Sequence, residues 1–452
     1  MKYSGGNGFS VEYKFAVFAF IYTVIAALAL QLFVLPLLPS LHAGDGLLKG
    51  SDYFAFHVRA VELLGQIHDT GFWNNIELRP RGQGSIAYAT VIYMLTGISK
   101  PWIIIPFNAF LFALSVYFLV RSLINLVPVK IAIFSLLPLV LFPSSVMVYG
   151  QIHKDIFCLF SFSAIVYVYS KIYFQSITNK TVFFEVVLLT VLAGLSVWFV
   201  RPYLLKILLL GGGVILVGVA LNFIVARTFG SYRELFTLAF VVFIFFAIDS
   251  LPTNAVKGFN VNIYDTKTAE LDQKTANTQM VKGCNVDPGV FGLSLSDKLL
   301  SKLYDTRRRF MSNRSAGSNI DLDVNYCTWT DLVLYTPKAL LVGLAAPFPN
   351  TWLSEGKSNG GSIKKALSSI EMTVAYFSFF GFLGLLWVRG AKFKFIFSCL
   401  TISVLTIFVY SLVVTNVGTL YRMRFAPLHI IISLGICGWY YLYKFKTNKF
   451  CL

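Results

Sequence analysis

His153, Lys154 and Asp155 stand in a row in GQIHKDIF (150–157), wedged between two apolar runs. Arg201 sits in the same kind of place, in VWFVRPYLL, with almost no loop between the runs that flank it. A third group lies in DGLLKGSDYFAFHVRAVELL: the carboxylates Asp45 and Asp52, then His57 and Arg59. Arg79 and Arg81 flank Pro80, and Arg422 and Arg424 close TNVGTLYRMRFAP. Two or three carboxylates among five or six cations suit a ligand with an anionic head. Arginine and lysine hold a phosphate or pyrophosphate. A carboxylate acts as general base on a hydroxyl or coordinates a divalent metal. Each group also has a plainer reading. Asp52 and Asp155 could cap helices, His57 and Arg59 could be surface residues of one, and Arg201 could snorkel from the membrane edge.

The elements that must position these residues follow from composition. Of 452 residues 56% are hydrophobic and only 13% charged, about half the charged share of a soluble domain. That excludes a soluble enzyme, a disordered chain and a fibrous repeat, and leaves an all-α polytopic membrane protein. Ten apolar runs are long enough to cross a bilayer: roughly 15–39, 101–121, 129–149, 155–172, 183–200, 203–226, 233–249, 371–389, 394–415 and 426–444. Two shorter runs, 84–98 and 335–348, read as interfacial or re-entrant. With both termini cytoplasmic, the inner segments hold 14 basic residues (Lys2, Lys14, Arg121, Lys130, Lys171, Lys180, Arg227, Arg233, Arg389, Lys392, Lys394, Lys444, Lys446 and Lys449) against three acids, Glu12, Glu185 and Glu234. That excess is the positive-inside signal. The first span follows a polar start with no small-residue cleavage pattern and reads as a retained helix.

In this topology all the groups above face outward at one depth. Residues 52–67 repeat apolar side chains near a 3.6 period (Phe56, Val58, Ala60, Val61, Leu63, Leu64), which predicts an amphipathic helix on the outer surface. The chain divides into an N-terminal module (1–249), an outer loop or cap (250–370) and C-terminal membrane helices (371–452). Net charge is +17. The inner segments account for most of it, and the cap's 14 cations are largely offset by its 10 acids. The ring that remains, from Lys49 to Arg424, is mixed in sign and near neutral, unlike a nucleic-acid patch. Cys284 and Cys327 share the outer loop, where a disulfide is expected; Cys158, Cys399 and Cys437 lie in apolar spans and read as small core residues, and Cys451 is in the tail.

The order of these features resembles the GT-C superfamily of membrane glycosyltransferases, in the manner of lipid A aminoarabinose transferases and protein O-mannosyltransferases. In that pattern a span leads to an acid on a juxtamembrane helix, here Asp52 or Asp45. A short apolar run ending in glycine follows, here YATVIYMLTG (88–97). Two crossings come next, then a second acid in an outer turn, here Asp155. NAFLFALSVYFLVRSL also looks like the family's second crossing. The resemblance covers about residues 10–205. Further on, YTPKALLVGLAAPFPNTW and GTLYRMRFAP look like segments of membrane proteins from bacterial polysaccharide clusters. Ser51-Asp52-Tyr53 departs from the family's frequent adjacent acid pair.

What the resemblance implies is a sugar transferase of the bacterial inner membrane. It would take a polyprenyl-phosphate-linked donor and a glycan or lipid-linked acceptor at the outer face, amid membrane lipids. Asp52 would be general base or ligand to a divalent metal (Mg²⁺ or Mn²⁺), and Asp155 would position acceptor or metal. Lys154, Arg201, Arg422 and Arg424 would hold the lipid phosphate. A repeat-unit polymerase or O-antigen ligase is the alternative enzyme, leaning on arginine and histidine instead of Asp52. A lipid-glycan flippase is a third reading, set back by the near absence of acids within the spans and of an internal repeat.

Overall fold

The computed structural model of the chain describes residues 10–49, 52–71, 78–79, 83–175, 178–226, 232–252, 295–311, 318–354 and 359–447. Arg81, Cys284 and most of the expected cap (253–294) lie outside these. The described chain is almost wholly helical. In order the helices are α1 (Val11–Ala29), α2 (Tyr53–Thr70), α3 (Gly84–Thr96), α4 (Ile105–Leu123), α5 (Val129–Leu141), α6 (Pro143–Tyr149), α7 (Asp155–Phe174), α8 (Lys180–Val200), α9 (Tyr203–Ala226), α10 (Tyr232–Asp249), α11 (Leu295–Met311), α12 (Trp329–Ala345), α13 (Asn359–Leu385), α14 (Gly390–Val413), α15 (Val417–Met423) and α16 (Phe425–Lys446). A two-stranded antiparallel hairpin, β1 (His42–Gly44) with β2 (Leu47–Leu48), follows α1.

The protein is a multi-pass helical membrane protein. Among the described residues eight helices are long and apolar enough to cross a bilayer: Val11–Val34, Pro101–Leu123, Asp155–Phe174, Lys180–Val200, Tyr203–Ile224, Gly361–Leu385, Gly390–Val413 and Phe425–Lys446. Two of the ten expected runs differ. The run at 129–149 is two helices, α5 and α6, bent by 69°. Proline at 143 disfavours the helical region for Phe142, whose ψ is 139°. The run at 233–249 is the 18-residue α10, set apart from the eight by its three charged residues, Arg233, Glu234 and Asp249.

Two compact units emerge. One comprises Met1–Ala255, Ile370–Val404 and Phe425–Leu452; the other comprises Val256–Ser369 and Leu405–Arg424. In the first, α7 is apolar on every side and lies in the middle, against α4, α8 and α16. A helix hydrophobic all round belongs in such a place. At one end of this unit the expected inner cations meet all three expected inner acids: Arg121–Glu12 at 3.0 Å, Lys171–Glu185 at 2.8 Å and Lys394–Glu234 at 2.7 Å. The opposite end carries the 150–155 turn and Arg201.

At that end α2 does not lie alone on a surface. Phe56 and Ala60 on its apolar face pack against Ile86, Ala89, Ile92 and Tyr93 of α3 and against Ile152 of the turn. With 13 residues, α3 is about 20 Å long, too short to cross.

In the second unit two arginines hold the fold. Arg307 is fully buried and donates to the carbonyls of Val324 (3.2 Å), Leu412 (3.0 Å) and Asp321 (2.6 Å). Its guanidinium also lies over the rings of Tyr326 and Tyr335. Arg424 closes the C-terminus of α12, donating to the carbonyls of Val342, Gly343 and Ala346. A cation there meets the negative end of the helix. The capping box of Thr328 and Asp331 starts the same helix.

Candidate functional site

The 150–155 turn is held by three buried amide side chains, two that reach it from α1 and α4 and one of its own. Gln31, in the π-helical turn Leu30–Val34 that extends α1, donates to Gly150 O at 2.6 Å. Asn108, near the start of α4, donates to Tyr149 O and Gln151 O, both at 2.9 Å, and accepts from Tyr88 Oη at 3.0 Å. Gln151 accepts from Leu48 N–H at 3.1 Å and donates to Gly46 O at 3.2 Å, tying the hairpin to the turn. Gly46 has φ +74°, and a Cβ there would stand 2.8 Å from Gln31 O. Polar groups in apolar surroundings must find such partners, so these amides fix the path of the main chain.

The turn thereby delivers Asp155 to the first residue of α7, level with the last turn of α8. The Asp155 carboxylate meets the Arg201 guanidinium through Oδ1 and lies 2.9 Å from His153 Nδ1 through Oδ2. All three side chains are at most 2% exposed. The Asp155 main-chain N–H also donates to His153 Nδ1 at 2.9 Å, so that nitrogen stands between the main chain and the carboxylate of the same residue. The Tyr53 ring, opening α2, packs on the His153 ring at 5.0 Å. The capping residue of α7 is Lys154, and no side chain caps it; the burial of Asp155 and Arg201 also sets aside helix capping and snorkelling for them.

The open face lies around α2. Asp52 immediately precedes the helix, is exposed, and makes no side-chain cap. Asp52 and Arg59 fall on one edge of the α2 face that buries Phe56, on a helix with 3.6 residues per turn. Over the Phe56 ring sits the Lys154 ammonium, 5.7 Å from its centroid and 3.5 Å from Gln83 Oε1. Arg59 and Lys154 are half-buried. Arg79 joins the same end, donating from Nε to Phe199 O at 3.3 Å with its guanidinium over Trp198. Gly84 lets α3 start against that strip of α8, since a Cβ would stand 2.3 Å from Phe199 O.

Two expected site residues have other roles. His57 lies on the buried face of α2, its Nδ1 2.9 Å from Tyr93 Oη. Burial lowers its pKa below 6.5, Asp45 pulls it back up and Lys100 lowers it further. Asp45 is exposed and pairs with Lys100 at 3.0 Å. In the second unit Arg424 is the helix cap described above, whereas Arg422 is half-buried beside Lys364. Of three consecutive arginines at 307–309, Arg307 is buried and Arg308 and Arg309 are exposed. Cys327 is disulfide-bonded; Cys284, its expected partner, lies outside the described residues. Cys158, Cys399 and Cys437 are free and buried. Sequence reasoning missed Gln31, Asn108 and Gln151. Their signal was available, since an amide inside an apolar run asks for a partner.

Among the described residues no three His, Cys, Asp or Glu side chains converge as a metal site, and Asp155 faces a guanidinium. The chain matches no family model, no curated protein and no solved structure.

Proposed function

We propose that the chain is an integral membrane glycosyltransferase of cell-surface polysaccharide biosynthesis. It moves a sugar from a polyprenyl-phosphate-linked donor to a glycan or lipid-linked acceptor at the outer face of a bacterial inner membrane, with both termini cytoplasmic. The supporting observation is the edge of α2: an exposed carboxylate, Asp52, and a half-buried Arg59, with the Lys154 ammonium over Phe56 between their turns, at one end of a bundle of membrane helices. Ten crossings fit this topology, counting α5–α6 once and including α10. The Glu234–Lys394 and Lys206–Asp249 pairs put the two termini of α10 at opposite ends of the unit.

In the reaction the acceptor hydroxyl attacks the anomeric carbon and Asp52 takes its proton. The bond from that carbon to the phosphate oxygen breaks, and its electron pair leaves on the polyprenyl phosphate. Lys154 and Arg59 face the charge that develops there, with Arg79 behind them, and fixed cations stabilise it without reorganising. The buried His153–Asp155–Arg201 cluster is a positioning group that holds Lys154 over Phe56.

The test is release of polyprenyl phosphate from a lipid-linked sugar by purified protein, wild type against Asp52→Asn. A transferase loses about 10²–10⁴-fold when its base is removed. Unchanged turnover in Asp52→Asn would instead favour a polymerase or ligase working through arginine and histidine.

A further inference from the structure

The break between α5 and α6 gathers oxygen atoms in a buried part of the first unit. In a continuous helix the carbonyls of Leu139, Val140 and Leu141 would accept from residues 143, 144 and 145. Pro143 has no N–H. Ser144 N–H donates instead to Glu371 Oε1 at 2.8 Å, and Ser145 N–H to Phe142 O at 3.0 Å. The C-terminal carbonyls of α5, the negative end of its dipole, are therefore released from the helical ladder. Glu371, within the membrane-spanning part of α13, is 3% exposed. The hydroxyls of Ser144 and Ser145 are buried and have no hydrogen-bond partner among the described residues.

A further acceptor comes from α16. The His429 ring packs on that of Phe142, the residue at the break, at 5.7 Å. Its Nδ1 is 2.9 Å from Phe425 O, and since a carbonyl only accepts, Nδ1 carries the hydrogen. That leaves Nε2 as a lone pair, buried and without a partner among the described residues. Carbonyls, a carboxylate, two hydroxyls and an imidazole lone pair form a set rich in acceptors. Broken membrane helices use such sets to take hard cations out of water, and oxygen ligands suit hard cations.

We propose that this break binds a desolvated monovalent cation of the sodium class. The Glu371 carboxylate, the Ser144 and Ser145 hydroxyls and the released carbonyls of α5 would ligate it, and its effect would be to fix the angle between α5 and α6. The site lies below the 150–155 turn, because α6 leads directly into it.

The experiment uses purified full-length protein in detergent, in mixtures of sodium and choline chloride at constant ionic strength. Sodium should raise the thermal midpoint saturably, by about 2–4 °C, and radioactive sodium should bind in equilibrium dialysis. Glu371→Gln should abolish both responses, and Ser145→Ala should lower sodium affinity about tenfold while the protein stays folded. An equal midpoint in choline overturns the proposal, as does a full sodium response in folded Glu371→Gln. If Glu371→Gln does not fold, an unchanged sodium affinity in Ser145→Ala overturns it. A response to pH alone, without sodium binding, identifies a proton site and also overturns it. None of these readouts depends on sugar transfer.

Discussion

The two ends of the first unit use the same chemistry, a carboxylate against a cation, in different surroundings. At one end three separate pairs sit at the margin: Arg121 is 35% exposed in its pair with Glu12, and Glu185 is 36% exposed in its pair with Lys171. At the other, Asp155, Arg201 and His153 form one cluster almost closed to solvent. Glu12 and Lys171 are themselves buried, but each pair opens to solvent through its partner, where screening keeps its worth to about 1 kcal/mol. A buried cluster behaves otherwise, because removal of one partner leaves a charge in a medium that cannot solvate it. The marginal end holds its charges as separate pairs at the rim of the unit, whereas the buried end fixes main-chain geometry where three helix termini meet.

The largest effect expected from this contrast is Arg201→Leu, which should cost about 3–5 kcal/mol in the unfolding of the purified protein. The double change Asp155→Leu with Arg201→Leu should recover most of that loss, since no unpaired charge remains. A double variant as unstable as the single one would mean that packing, not charge, dominates there. Next in size is Asn108→Leu. It leaves the carbonyls of Tyr149 and Gln151 without their donor, at about 1–3 kcal/mol, and should raise hydrogen exchange in the turn. Arg121→Leu at the marginal end should cost at most about 1 kcal/mol; a loss equal to that of Arg201→Leu would erase the distinction between the ends.

The smallest effect concerns pH. Burial lowers the pKa of His57 from 6.5, so the unfolded chain binds this proton more readily than the folded one. Stability should therefore fall as pH drops below about 6.5, and His57→Gln should flatten that part of the profile. A profile unchanged by the substitution would mean that other groups carry the acid sensitivity.

Much of this was legible in the sequence because it is local. The apolar runs, the amphipathic period of α2 and the abrupt turns at His153–Asp155 and at Arg201 are properties of neighbouring residues. The bend at Phe142 was also local, since Pro143 is visible, but a run scored only for apolarity passes over it. What stayed hidden depends on partners far along the chain. Gln31 meets Gly150 across 119 residues, and Arg424 meets Gly343 across 81. Arg201 and Arg424 look alike as cations at span ends. One is held by a carboxylate and the other by the end of a helix, and only the fold separates them. Asp52 and Asp155 likewise read as equivalent acids, yet one is open to solvent and the other closed in. In the proposed reaction that difference gives the chemistry to the first and positioning to the second.

The most direct measurement of the central claim compares these two acids by turnover and stability together. Purified wild type, Asp52→Asn and Asp155→Asn are each given a polyprenyl-phosphate-linked sugar, and release of polyprenyl phosphate and the thermal midpoint are recorded. The account predicts turnover by wild type and a loss of at least about 10²-fold in Asp52→Asn, with the Asp52→Asn midpoint unchanged because the residue is exposed. Asp155→Asn should lower the midpoint. Binding of the lipid without release by wild type, or full activity in Asp52→Asn, would contradict it.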